Sequence, residues 1–65
     1  MLVFVNGRRV ELTPGMRVRH ALTQEGLLHR VFDGEKVFDE EGNEVELDGA
    51  LREGYRLRIG SPEGV

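Results

Sequence analysis

The sequence contains no cysteine, no tryptophan and only two prolines. Without cysteine there is no disulfide, no thiolate metal site, no cysteine nucleophile and no cysteine-bound iron–sulfur cluster. A reducing cytoplasm suits such a chain and is the expected compartment. No apolar run approaches the roughly 18 residues that a membrane helix needs. The opening MLVFVNGRRV has too short an apolar stretch for a signal peptide, and no basic region precedes it. The chain also lacks a serine–histidine–acid set, a phosphate-binding loop and a paired-carboxylate cleft. A domain of 65 residues has little room for a concave site. No enzyme activity and no cofactor are expected.

Two further sites are excluded by spacing. His20 and His29 stand nine positions apart, with no carboxylate at ligand spacing, so neither is expected to hold a metal or act as a base. Asp39-Glu40-Glu41-Gly42-Asn43 has the composition of a calcium loop. It lacks the alternating ligand positions and the distal bidentate glutamate that such a loop requires. It reads as a solvated turn.

The net charge of −3 is unevenly distributed. Residues 1–30 carry five arginines against two glutamates. Residues 31–65 carry four basic residues against ten carboxylates. Such asymmetry fits either a partner-facing surface or an ordinary solvated one. An acidic chain argues against nucleic acid as the partner.

What is present reads as one small α+β domain over residues 1–60, with a flexible tail over 61–65. The chain is organised around Thr13–Leu28. There Val18, Ala21 and Leu22 recur at the i, i+3, i+4 spacing of a helix stripe, and Gly26 stands where helices end in a left-handed residue. Asn6-Gly7 between two apolar runs is the strongest short hairpin signal, because a type I′ turn needs positive φ at both central residues. A two-residue loop sets Val5 against Arg8, Phe4 against Arg9, Val3 against Val10, Leu2 against Glu11 and Met1 against Leu12. Met1, Val3, Val10 and Leu12 then share the face that meets the helix. Leu2, Phe4, Arg9 and Glu11 share the other.

Later elements are shorter. His29–Phe32 and Lys36–Phe38 flank Asp33-Gly34 as a second hairpin signal. Val45 and Leu47 alternate with Glu44 and Glu46 as a half-buried strand, and Asp48-Gly49 begins a brief turn. In the last strand Tyr55, Leu57 and Ile59 alternate with Arg56 and Arg58. No good N-cap precedes the helix: Arg17 stands there, and Arg17 and Arg19 set positive charge at the positive end of the helix dipole. An anionic partner or simple surface tolerance would each account for this.

Three stretches carry a resemblance: VFVNGRRVEL, the Pro-Gly-x-x-Val helix entry in TPGMRVRHAL, and REGYRLRIGSPEG. With these, nearly the whole chain resembles the ubiquitin-like β-grasp superfamily, and within it the small ThiS/MoaD-like sulfur carriers of thiamine and molybdopterin synthesis. The resemblance implies a mixed sheet of four to five strands with one helix across it, the last strand lying parallel to the first in mid-sheet. It also implies that the outer sheet face docks another protein, such as an adenylating or cofactor-synthesis enzyme. The residues expected there are Leu2, Phe4, Arg9, Arg56 and Arg58. Apolar anchors rimmed by arginine are what interfaces use.

Carriers end in Gly-Gly, whose carboxylate is converted to a thiocarboxylate. This sequence ends Pro62-Glu63-Gly64-Val65, so Gly60, Gly64 and Val65 are the tail residues of interest. The expectation is therefore an interaction module or accessory subunit, monomeric or weakly dimeric. A tail-activated sulfur donor is the alternative. Arg17 and Arg19 are expected at the end of the sheet remote from the Asn6-Gly7 turn. Strand 2 runs away from that turn for about five residues at ~3.3 Å each. The N-terminal arginines would then not form one patch.

Overall fold

The computed structural model describes residues 1–60. The tail at 61–65, with Gly64 and Val65, lies outside them. Six elements follow one another: β1 (Leu2–Val5), β2 (Arg8–Glu11), α1 (Val18–Gln24), α2 (Leu28–Phe32), β3 (Lys36–Asp39) and β4 (Arg56–Gly60).

The hairpin forms in the register that Asn6-Gly7 dictates. Asn6 and Gly7 take φ of 52° and 82°, and the pairs run Leu2–Glu11, Val3–Val10, Phe4–Arg9 and Val5–Arg8. Met1 and Leu12 close the open end by exchanging two hydrogen bonds of 2.7 and 2.8 Å.

β4 inserts beside β1 in parallel, pairing Phe4 with Arg56 and Val5 with Leu57. β3 lies antiparallel on its far side, giving the order β2-β1-β4-β3. Chain start and described chain end are thus neighbours in the middle of a four-stranded mixed sheet. Side chains extend the parallel ladder at both ends. Leu2 N–H donates to the Glu53 carboxylate at 3.2 Å. At the other end Asn6 N–H donates to Leu57 C=O at 2.9 Å, and Ile59 N–H donates to Asn6 Oδ1 at 3.0 Å. The Asn6 amide thereby replaces the main-chain acceptor that the turn has carried away.

The core lies between one sheet face and the helices. Val3, Val5, Val10 and Leu12 supply the hairpin side, Val37, Leu57 and Ile59 the other strands, and Val18, Ala21 and Leu22 the stripe of α1. Tyr55, just before β4, is half-buried and packs against this cluster.

Three local expectations are corrected. His29–Phe32 is not a strand but belongs to α2, so the described residues hold two helices. Leu28 and Val31, spaced i, i+3, pack against the core. Asp33-Gly34 then serves as a helix end rather than a hairpin turn. Gly34 takes φ of 104°, Gly34 N–H bonds Val31 C=O at 3.1 Å, and Glu35 N–H bonds Arg30 C=O at 3.0 Å. That pair of bonds is the Schellman closure. α1 ends the same way, with Gly26 N–H to Thr23 C=O and Leu27 N–H to Leu22 C=O.

The strand expected at Val45 and Leu47 is reduced to a bridge between Phe38 and Glu44. Its backbone is shared between two neighbours. Val45 N–H reaches Val37 C=O at 2.9 Å, while the carbonyls of Leu47 and Gly49 accept from Arg19 and Val18 N–H of α1 at 2.9 and 3.2 Å. A ladder cannot propagate along such a crossing.

The same crossing accounts for the missing N-cap. Orphan donors at a helix start need acceptors from somewhere. Here they come from a segment about thirty residues downstream, and His20 Nδ1 accepts from Arg17 N–H at 2.7 Å. Arg19 forms an ion pair with Asp48, whose carboxylate offsets the positive charge at this end.

Candidate docking surface on the outer sheet face

Alternation along each strand decides what faces outward. With Val3, Val5, Leu57 and Ile59 turned to the core, Leu2 and Phe4 of β1 and Arg56 and Arg58 of β4 lie on the outer face. Arg9 of β2 stands directly across from Phe4. The five residues expected together therefore share one surface. Leu2 and Phe4 are half-buried; Arg9, Arg56 and Arg58 are exposed.

Phe4 is not bare. The Arg56 guanidinium lies over its ring, 4.3 Å from the centroid, close enough for attraction between cation and ring face. Beside this pair is a hollow of about 290 Å³ lined by Phe4, Gly7, Glu40, Arg56, Leu57 and Arg58. The arginines bring donors that match carboxylates, and the ring brings an apolar contact.

Sequence reasoning missed one member of the face. Phe38 of β3 pairs with Arg58 and is half-buried on the outer side, since its neighbour Val37 points into the core and is 3% exposed. The alternation in Lys36-Val37-Phe38 carried that signal. The face thus has two aromatic rings, Phe4 and Phe38, with Arg56 and Arg58 on the strand between them.

Glu40 joins the lining of this hollow and Glu11 stands across from Leu2; the other charged residues point elsewhere or are already engaged. Arg8, opposite Val5, bridges to Glu25 at the end of α1 at 3.0 Å. Arg17 and Arg19 sit at the start of α1 around Asp48, away from Arg9. Arg52 lies 5.3 Å from the Tyr55 ring centroid. His20 is occupied as the acceptor for Arg17 N–H. Among the described residues, no three His, Cys, Asp or Glu side chains converge as they would to hold a metal ion. No helix among them is long and apolar enough to cross a membrane. Gly60 ends β4 opposite Lys36 and is half-buried.

Comparison with known proteins adds no identity: no family model matches the chain, and neither does any curated protein or solved structure.

Proposed function

We propose that this chain is a β-grasp protein-interaction module, or accessory subunit, akin to the sulfur carriers, and that it docks a partner protein through its outer sheet face. The observation that carries the reading is the Phe4–Arg56 pair beside its hollow, which Arg58 and Glu40 also line, with Arg9 across from Phe4 on β2. A partner offering an apolar anchor flanked by carboxylates would complement it. Interfaces concentrate their binding energy in such aromatic and arginine centres. The parallel neighbours β1 and β4, with α1 across the opposite face, support the β-grasp assignment. An adenylating or cofactor-synthesis enzyme of the cytoplasm is the partner class that the resemblance implies, with the module itself monomeric or weakly dimeric.

The test is to immobilise the chain, recover partners from the native host, and titrate the purified partner against wild type and Phe4→Ala. Phe4→Ala should keep the fold and weaken binding by more than ~1 kcal/mol. Unaltered binding removes the site. The competing reading, a thiocarboxylate donor, is separated by intact mass of the protein from its host. A species trimmed to Gly64 and heavier by an oxygen-to-sulfur exchange supports the donor. An unmodified Val65 terminus supports the module.

A further inference from the structure

A second hollow, of about 360 Å³, lies between the end of α2, β3 and the crossing segment Glu44–Asp48. It shares no residue with the hollow beside Phe4. Its floor is aliphatic: Val31, Val37, Val45 and Leu47, all packed on the core. Its rim is acidic, formed by Glu35, Glu44, Glu46 and Asp48, with Lys36 as its one cation. Glu35 is taken up by Arg30, Asp48 by Arg19, and Glu44 lies 3.7 Å from Lys36. Glu46 is exposed and makes no ion pair among the described residues.

The surrounding sequence deepens the imbalance. Residues 31–48 hold eight carboxylates against one lysine; Glu40 among them lines the other hollow, and Arg30 and Arg19 pair with Glu35 and Asp48 of the rim. Phe32, next to Val31 on α2, is 75% exposed. The backbone offers little here. Val45 N–H already bonds Val37 C=O, and Asp39 N–H already bonds Asn43 C=O, so two of the groups on this edge of β3 are taken. A side-chain mode of engagement, as by a helix or loop, suits this groove better than adding a strand.

We propose that this groove docks a basic segment of a partner protein. An aliphatic side chain of the segment sits on the valine–leucine floor, and a flanking lysine or arginine reaches Glu46, with the exposed Glu44 beside it. Charge complementarity selects this occupant. An acidic segment would meet the rim's carboxylates, and like charges set against each other are costly. The two hollows thus favour partners of opposite charge.

The probe is a helical peptide of lysine and alanine bearing one leucine stripe, titrated into isotope-labelled full-length protein at low salt. Amide shifts should saturate at Val31, Gly34, Val45 and Leu47. A control peptide with serine for leucine should bind at least about fivefold more weakly, since the apolar anchor is lost. Glu46→Lys, at an exposed unpaired position, should weaken binding at least about tenfold, and Glu46→Gln by less. Phe4→Ala should leave it unchanged, which separates this groove from the outer face. The proposal is overturned by an absence of saturable shifts, by shifts centred elsewhere, or by equal binding of the serine control. Self-association through these residues in sedimentation without peptide also overturns it, because the occupant is then a second copy.

Discussion

Arg56 covers Phe4: its guanidinium sits 4.3 Å from the ring centroid, on adjacent parallel strands whose Cα atoms are register partners. The pair does two jobs. It shields part of an aromatic ring on an open sheet face, and it pre-positions a cation at the centre of the surface that we assign to docking.

The pair should be measurable in the free protein. Arg56→Ala and Phe4→Leu, combined in a double-mutant cycle, should yield a coupling of about 0.5–1 kcal/mol by urea unfolding, the range for an exposed cation–ring contact. Strict additivity would mean that the two side chains do not interact in solution.

Asn6 should matter beyond its turn. Its side chain accepts Ile59 N–H at 3.0 Å and so fastens the hairpin turn to β4. Asn6→Gly keeps the positive φ but loses the acceptor, and should cost about 1 kcal/mol. Asn6→Asp keeps the acceptor and should cost less. Asn6→Ala loses both features and should cost most, because left-handed backbone is unfavourable for alanine. Equal urea midpoints for the Gly and Asp variants would refute the bond.

Stability should carry an acid-sensitive contribution from Glu35. Arg30 donates to both carboxylate oxygens at 2.7 and 2.6 Å, and these hydrogen bonds hold the Glu35 carboxyl below its ordinary range, with the Arg30 and His29 charges adding and burial opposing. A carboxyl lowered by folding contributes stability that is fully present above its unfolded pKa and is lost as pH falls through the folded value. Thermal melts of wild type and Glu35→Gln should therefore differ most near neutrality and converge in acid, once the carboxyl is protonated in both the folded and the unfolded chain. Both side chains are partly exposed, so added salt should narrow the gap. A gap that is constant with pH would contradict the account.

How much of this was legible depended on whether the physics was local. Asn6-Gly7 forces a turn whose length sets the register, so every β1–β2 pair and both faces followed from two residues. Val18, Ala21 and Leu22 announced α1 by spacing alone. Asp33-Gly34 was ambiguous in principle. A left-handed glycine ends a helix as readily as it makes a hairpin turn, and only the burial of Leu28 and Val31 on the core decides between them. The capping of α1 could not be read locally, because its acceptors, Leu47 and Gly49, arrive from far along the chain. On the outer sheet face, Leu2, Phe4, Arg9, Arg56 and Arg58 came from alternation. Phe38 obeys the same alternation, on the side opposite Val37. The cover of Arg56 over Phe4 is a product of the parallel register between β1 and β4, which the sequence does not spell out.

The central claim is that the outer sheet face docks a protein partner. Amide shift mapping of the labelled chain against the purified partner addresses it most directly. We expect the footprint to cover Leu2, Phe4, Arg9, Phe38, Arg56 and Arg58, and to vanish in Phe4→Ala/Arg56→Ala protein at equal concentration. A footprint confined to α1 or α2, or one that survives in the double variant, would contradict the account.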